Sequence, residues 1–167
     1  MSDLEIGRLT GSRSITKSPD HEITHFGDKV IERTFSIIKP DAVAAGHAGE
    51  ILAMLEGAGF KILGIRMLRM RAEQAREFYG VHRGKSFYES LVAFMTEGPV
   101  VVLALEREDA IAKLREVMGA TNPANAAEGT VRKRFAANIE RNAIHGSDAP
   151  ATAEAELRFF FSSADLI

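Results

Sequence analysis

The stretch Val100-Val101-Val102-Leu103-Ala104-Leu105 is an almost unbroken run of β-branched and apolar residues, introduced by Gly98-Pro99. A strand with one face in solvent alternates polar and apolar residues, whereas a strand covered on both faces is apolar throughout. The run therefore predicts a strand at the centre of a sheet. The other elements are expected to form on either side of it.

A second strand is predicted for Arg33-Thr34-Phe35-Ser36-Ile37-Ile38, because its polar and apolar side chains alternate. Lys39-Pro40-Asp41 ends this strand, since proline cannot continue a hydrogen-bonded ladder. Strand patterns also occupy residues 60–68 and, at the end of the chain, residues 157–161. Helical patterns lie between the strands at residues 46–57, 72–82, 86–95 and 109–118, and a short helix is predicted to end near Glu156.

The order of these elements is strand, helix, strand, helical hairpin, strand, helix, long loop and strand. It predicts an α+β fold of the ferredoxin-like split βαβ type, in which helices cover an antiparallel sheet. The loop at residues 119–129 has turn residues but little core pattern. Loops of this length in compact domains are often functional.

Residues 1–29 are polar and rich in turn residues, with no sustained hydrophobic period. We therefore expect residues 1–30 to be a disordered extension and residues 31–167 to form one domain. The extension contains His21-Glu22-Ile23-Thr24-His25, which fits the zinc-hydrolase pattern H-E-x-x-H. That pattern needs a stable helix, and no amphipathic run surrounds this one, so a zinc site is disfavoured.

Composition excludes several classes of protein. The chain has 167 residues, 46% hydrophobic and 26% charged, and a net charge of −2, which argues against a protein that coats nucleic acid but allows a local basic pocket. No cysteine is present, which is compatible with a reducing compartment. The apolar runs are too short to span a bilayer, and the N-terminus lacks the pattern of an export signal. We therefore expect a cytoplasmic protein without a membrane partner or a specific nucleic-acid partner.

A candidate nucleophile lies in Asn142-Ala143-Ile144-His145-Gly146-Ser147-Asp148. Neutral imidazole attacks phosphorus readily, and the phosphoramidate that it forms stays energy-rich. Glu156 follows eleven residues after His145, and the most basic segment of the chain, 130–135, precedes it. A histidine before Gly-Ser-Asp is also common as a hydrogen-bonded turn residue, so both interpretations remain open at this point.

Several short runs, taken together and in order, closely resemble the nucleoside diphosphate kinase family. The resemblance extends from about Ile31 to the C-terminus. The runs are Glu32-Arg33-Thr34-Phe35-Ser36-Ile37-Ile38-Lys39-Pro40-Asp41-Ala42-Val43, Tyr79-x-x-His82, Gly98-Pro99-Val100, Gly119-x-Thr121-Asn122-Pro123, Gly129-Thr130-Val131-Arg132 and Asn142-x-x-His145-Gly146-Ser147-Asp148.

The resemblance implies a ping-pong exchange that balances nucleoside and deoxynucleoside triphosphate pools. A nucleoside triphosphate such as ATP would phosphorylate His145, and the phosphohistidine would pass its phosphoryl group to a nucleoside diphosphate. Glu156 would bond the second imidazole nitrogen, with Ser147 beside it. The family's phosphate-contacting positions fall on Lys39, Tyr79, Arg115, Thr121 and Arg132.

The resemblance also implies how the rest of the nucleotide is held. Asn142, with Lys39, would hold the ribose hydroxyl, while Phe87 would stack on the base and Leu91 and Ile139 would close an apolar slot. Stacking recognises any base, so broad base tolerance is expected. Mg²⁺ would be held by nucleotide phosphates and water and not by protein ligands. The family further implies a homo-oligomer built from dimers, either a tetramer or a hexamer.

Two other functions remain as alternatives. One is a regulatory or scaffold protein that binds nucleotides on the same fold without catalysis, and the other is a metal hydrolase that uses His21 and His25. Lys133-Arg134 departs from the small and acidic residues of the family and is expected to make the mouth of the nucleotide site more basic. His82 is expected to be structural.

Overall fold

The protein is described by a computed structural model that covers residues 30–167, so the His21–His25 motif lies outside the described residues. A four-stranded sheet forms its centre, in the order β2-β3-β1-β4, and every neighbouring pair is antiparallel. The strands are β1 Ile31–Ile38, β2 Lys61–Leu68, β3 Val100–Glu108 and β4 Ile144–Gly146. The predicted central position of residues 100–105 is confirmed, because β3 pairs with both β1 and β2.

Helices pack against both faces of this antiparallel α+β sheet. They are α1 Pro40–Ala44, α2 Ala48–Gly57, α3 Ala72–Phe78, α4 Tyr88–Thr96, α5 Ala110–Met118, α6 Val131–Phe135 and α7 Pro150–Phe160. Short 3₁₀ turns occur at Gly80–His82, Pro123–Asn125 and Ser163–Asp165. Within residues 30–167, none of the helices has the length and apolarity needed to cross a bilayer.

Alternate residues of β3 face two separate cores. Val102 and Ala104 pack in a cluster with residues of α3, α4 and α7, whereas Leu103 and Leu105 pack with residues of α2 and α5. These four side chains are at most 1% exposed. Burial on both faces is the physical reason why this strand lacks the alternation seen in an amphipathic strand.

The predicted final strand at residues 157–161 is wrong. These residues complete and follow α7, in which Leu157 and Phe160 pack against the same core as Phe35. A short apolar run is compatible with either a strand or one face of a helix, and Pro150, the first residue of α7, favours the helix.

The fourth strand is instead β4, which consists of three residues around His145. It pairs with β1, so that Ile37 lies opposite His145 and Ser36 opposite Gly146. A Cβ on Gly146 would lie 2.5 Å from Met118 Sδ and 2.7 Å from a side-chain carbon of Leu114. Glycine at this position therefore lets α5 pack directly on β4.

The predicted helical hairpin is present with different boundaries. The helix predicted at residues 72–82 is α3, which ends at Phe78, and its partner is α4. The connection between them contains the 3₁₀ turn Gly80–His82. Lys39 lies at the end of β1, as expected, and immediately precedes α1, whose first residue is Pro40.

Candidate active site

A cavity of about 440 Å³ opens between the end of β1, the α3–α4 hairpin and the segment that leads into β4. Most of the predicted site residues line it. They are Lys39, Tyr79, Phe87, Leu91, Thr121, Arg132, Ile139, Asn142 and His145. The structure therefore brings together side chains from segments that are more than one hundred residues apart, as the Lys39–Asn142 pair illustrates.

His145 is held by two neighbouring side chains. Its Nε2 lies 3.0 Å from Glu156 Oε1, while Ser147 Oγ donates to Glu156 Oε2 at 2.5 Å. A carboxylate accepts hydrogen bonds and does not donate them, so this contact places the imidazole proton on Nε2. Nδ1 of the neutral ring then keeps a free lone pair.

Aromatic rings pack around the imidazole. Phe78 meets it edge to face with 5.6 Å between ring centroids, and Tyr79 and Phe35 each lie at 6.2 Å. The side chain of His145 is 22% exposed, so the ring is restrained but still reaches the cavity. The sequence motifs did not identify Phe78, whose only signal is its position beside Tyr79 in an apolar helix face.

Lys39 and Asn142 form the buried polar pair of the cavity. Lys39 Nζ donates to Asn142 Oδ1 at 2.6 Å, and Asn142 Nδ2 donates to Ile139 O at 3.0 Å. Burial, and then the positive charge of Arg132, lowers the pKa of Lys39 to about 8, although the negative charge of Asp41 partly opposes both effects. Lys39 is therefore a cation that an arriving anion would stabilise.

Arg132 is bound to two backbone carbonyl groups. Its guanidinium donates to Gly119 O at 2.9 Å and to Ile144 O at 3.0 Å, which joins the long loop to β4. Its Nε is buried without a hydrogen-bond partner among residues 30–167. Burial, and then the charge of Arg115, lowers the pKa of Arg132 to about 10.

Arg115 does not line the main cavity. It lines an adjoining depression that shares Thr121 and Arg132 with the main cavity, so its charge acts at the same end of the site. Arg115, Arg132 and Lys39 together provide a cluster of positive charge in and beside the cavity that His145 lines. Such a cluster is suited to phosphate oxygens.

The opposite end of the cavity is an apolar slot. Phe87 is 42% exposed and Ile139 58% exposed, and Leu91 lies one helical turn beyond Phe87. His82, for which the sequence predicts a structural role, also lines the cavity, with its ring 5.4 Å from that of Phe87. Exposed apolar side chains that line one cavity are suited to a flat ligand.

The hydroxyl of Tyr79 is buried with no hydrogen-bond partner among the described residues. Burial, followed by the negative charge of Glu156, raises the pKa of Tyr79 far above its ordinary value. The group is therefore a permanent O–H donor, and a buried donor without a partner is costly unless a ligand accepts its hydrogen bond.

Three residues that the motifs did not single out also line the cavity, namely Ser90, Phe94 and Glu140. The ring of Phe94 lies under the Lys39 ammonium, at 5.8 Å from its centroid. From the sequence alone, Phe94 is an ordinary apolar residue of α4, and its spacing does not indicate that it belongs to a site.

Lys133 and Arg134 are predicted to make the mouth of this cavity more basic. Neither residue lines it. Arg134 pairs with Glu50 at 2.8 Å, and Lys133 lies 3.5 Å from Glu128. Lys133 lines an adjoining depression that shares Ile139 with the main cavity, so the effect of its charge on the mouth stays a prediction.

Comparisons with known proteins identify the family to which this chain is similar. The family model described as nucleoside diphosphate kinase matches residues 32–166. The chain is 53% identical over 138 residues to a nucleoside diphosphate kinase of Nitratidesulfovibrio vulgaris (strain DP4), a match that covers 83% of this chain and 99% of the relative. It is 58% identical over 137 residues to that of Nitrosococcus oceani, covering 82% of this chain and 96% of the relative.

Solved structures of the same kind of enzyme share the fold. A nucleoside diphosphate kinase of Aquifex aeolicus superimposes with a TM-score of 0.81 at 42% identity, covering 83% of this chain and 100% of the other. A halophilic one from Halobacterium salinarum, solved in complex with CDP, gives a TM-score of 0.79 at 40% identity, covering 81% and 91%.

Proposed function

The chain belongs to the nucleoside diphosphate kinase family, and on that premise we propose that His145 is the residue that carries the phosphoryl group. The enzyme transfers the terminal phosphoryl group of a nucleoside triphosphate, such as ATP, to a nucleoside diphosphate, in two steps joined by a phosphohistidine intermediate. This exchange balances the pools of nucleoside and deoxynucleoside triphosphates.

The observation that carries the proposal is the contact of His145 Nε2 with Glu156 at 3.0 Å. With the proton on Nε2, the lone pair of Nδ1 attacks the terminal phosphorus of the triphosphate. The bond from that phosphorus to the bridging oxygen breaks, and the diphosphate leaves with the oxygen and its electron pair. Transfer to the second nucleotide is the same reaction in reverse, so one set of groups serves both steps.

The cations and donors of the cavity are the proposed phosphate ligands. Lys39 and Arg132 neutralise the charge on the transferring oxygens, and Arg115 and Thr121 hold the phosphates that stay behind. The buried hydroxyl of Tyr79, which has no partner among residues 30–167, supplies a further hydrogen bond. A regulatory protein would not need a partly exposed imidazole with an aligned carboxylate, so the geometry favours catalysis.

Phe87 is the proposed stacking surface for the base, with Leu91 and Ile139 on the other side of the slot. Half-exposed apolar side chains of this kind offer flat contact area to a base. They form no hydrogen bonds with the edge of the base, so they do not distinguish one base from another. Asn142, already bound to Lys39, is the proposed ligand of the ribose hydroxyl.

Enzymes of this family need a divalent cation, and we propose Mg²⁺ held mainly by nucleotide phosphate and water oxygens. Residues 30–167 contain no group of three or more acidic, histidine or cysteine side chains placed to hold a metal. Nucleotide-bound Mg²⁺ would neutralise part of the phosphate charge. EDTA should stop exchange without changing the melting temperature of the nucleotide-free protein, whereas a lower melting temperature would indicate a metal site built by the protein.

We propose that the protein is a homo-oligomer built from dimers, either a tetramer or a hexamer. β2 is an edge strand, and it exposes Ile65 by 50% and Met67 by 65%, which is costly for an isolated chain. Native mass spectrometry gives the number of chains. The substitution Met67→Glu, which places a charge at this edge, should lower the number of chains in the oligomer. Val81→Glu, at another exposed position, should not.

Residues 31–167 are the proposed kinase domain, with residues 1–30 as an extension that catalysis does not need, and the cytoplasm is the proposed location. Removal of residues 1–30 should leave the exchange rate within about twofold, because the site is built from residues after β1. Cell fractionation with an antibody to the chain tests the location.

The central test is intact mass after brief incubation with ATP and magnesium, then after addition of GDP. We expect one acid-labile phosphoryl group to be gained and then lost as GTP. His145→Ala should gain none but should still bind ADP, because the cations and Phe87 remain. His47→Ala is the matched control, since its ring stacks on Phe135 away from the cavity. Turnover in His145→Ala would exclude this nucleophile.

A further inference from the structure

A left-handed residue lies directly ahead of the nucleophile strand. Ala143 has a φ of 67° and is fully buried. Residues with a Cβ rarely adopt this conformation, because the Cβ crowds the neighbouring carbonyl oxygen. The N–H of Ile144 donates to Asn142 O at 2.8 Å, which closes a tight three-residue turn around Ala143. Surrounding contacts must hold such a turn in place.

The segment that follows β1 binds both backbone polar groups of Ala143. Its carbonyl oxygen accepts a hydrogen bond from the backbone N–H of Lys39 at 2.9 Å. Its N–H donates to Asp41 Oδ2 at 3.1 Å. The second of these two bonds is the one made by a side chain, and it can therefore be removed by substitution.

Asp41 also faces the cavity lysine. Its negative charge raises the pKa of Lys39 and so opposes the effect of burial. Its Oδ1 is buried without a hydrogen-bond partner among residues 30–167. The buried carboxylate of Asp41 therefore loses part of its hydration. It accepts the hydrogen bond from Ala143 and interacts with the positive charge of Lys39.

We propose that Asp41 is a positioning residue, which binds the N–H of Ala143, holds the left-handed turn and so sets where Asn142 and His145 lie. This inference rests on the proposed role of His145 and deepens it. Asn142 is the first residue of the turn and is fixed to Lys39, whereas His145 directly follows its last residue, Ile144. A relaxed turn would move the nucleophile relative to the cations.

Asp41→Ala removes the acceptor and tests the proposal. We expect the rate at which ATP phosphorylates His145, measured by rapid quench, to fall about 10- to 100-fold, as displacements near 1 Å do. The dissociation constant of ADP should change less than about threefold, because the phosphate and base contacts remain. Asp41→Asn keeps an oxygen that can accept from Ala143 and should retain most of the rate.

A second substitution separates positioning from a general loss of structure. Ala143→Gly supplies a residue that adopts positive φ without a steric penalty, so in the Asp41→Ala background it should restore the rate about tenfold. The matched control is Asp109→Gly. Asp109, with a φ of 50°, is the other left-handed non-glycine residue among residues 30–167, and it lies outside the cavity, so this substitution relieves backbone strain away from the site. It should leave the Asp41→Ala rate unchanged.

Hydrogen exchange gives a readout besides activity. The amide of Ala143 should exchange faster in Asp41→Ala than in the parent protein. An unchanged phosphorylation rate, or equal rescue by both glycine variants, would overturn the positioning role. If Asp41→Ala does not fold, the nearly isosteric Asp41→Leu takes its place. If His145→Ala still turned over, the proposed function itself would be excluded. If His145→Ala were inactive but Asp41→Ala were fully active, only the role of Asp41 would be overturned.

Discussion

Ser147 Oγ donates a hydrogen bond of 2.5 Å to Glu156 Oε2, so a strand-end hydroxyl orients the carboxylate of a helix. The other oxygen of the same carboxylate faces the imidazole of His145. The orientation of the His145 imidazole therefore depends on α7 as well as on β4. Each of the two supporting side chains can be removed separately.

Glu156→Gln should slow phosphorylation of His145 about 10- to 100-fold, because an amide can donate to Nε2 and so move the proton to Nδ1. Ser147→Ala should slow it less, since the Glu156 contact itself remains. Rapid-quench measurement of the first turnover gives both rates. Glu154→Gln is the control on the same helix, because Glu154 is exposed and pairs with Arg158. Equal rates in Glu156→Gln and Glu154→Gln would contradict the assigned role.

Lys39 makes both activity and stability depend on pH. Its pKa of about 8 in the folded protein lies below the unfolded value of 10.5. As pH rises through about 8, kcat/KM should fall because the lysine loses its charge. Between these two pKa values the unfolded chain binds more protons than the folded one, so the free energy of unfolding should rise with pH.

Urea unfolding at several pH values in that window measures the slope. Lys39→Met should flatten it, whereas Lys61→Met, at an exposed position of β2, should not. If the slope persisted in Lys39→Met, another group would be responsible.

Phe87→Ala should weaken nucleotide binding by the free energy of one base–aromatic stacking contact, about 1–3 kcal/mol. The loss should be similar for purine and pyrimidine diphosphates, with stronger stacking making the purine loss somewhat larger. Calorimetric titration with ADP, GDP and CDP provides the comparison. Val81→Ala is the control, because Val81 lies in the same connection, is 85% exposed and is absent from the cavity wall. A loss of affinity confined to one nucleotide would indicate that the site forms hydrogen bonds with the edge of that base.

Arg132→Lys should destabilise the protein as well as slow the reaction. Lysine cannot replace both bonds, to Gly119 O and to Ile144 O, and a hydrogen bond to a charged group is worth about 1.5–3 kcal/mol. Denaturant unfolding measures the loss. Arg134→Lys, at the exposed pair with Glu50, should change the free energy of unfolding by less than about 0.5 kcal/mol. Similar effects of the two substitutions would show that the carbonyl contacts contribute little.

The sequence predicts the central strand, its partner β1 and most helices, because their hydrophobic patterns record which faces are buried. Residues 157–161 mislead, since five apolar and charged residues fit the end of a helix as well as a strand. β4 could not be predicted from its own composition. Its three residues pair with β1 because the surrounding core brings them there.

Most residues of the candidate site could be located from short motifs, but their physical state could not. The lowered pKa of Lys39 and the unpaired hydroxyl of Tyr79 both result from burial by distant segments. Likewise, the left-handed conformation of Ala143 has no local signal, because alanine rarely adopts it. These features arise only when β1 and β4 are side by side.

The pairing of the first strand with the last one also has a consequence for biosynthesis. The ribosome synthesises Lys39, after β1, and Arg115, in α5, before the imidazole of β4 and the carboxylate of α7. A nascent chain can therefore bury much of β3 and β2 before it can accept a phosphoryl group. A translation product that ends before β4 therefore lacks the proposed nucleophile, His145, and its carboxylate partner, and we expect it to have no exchange activity.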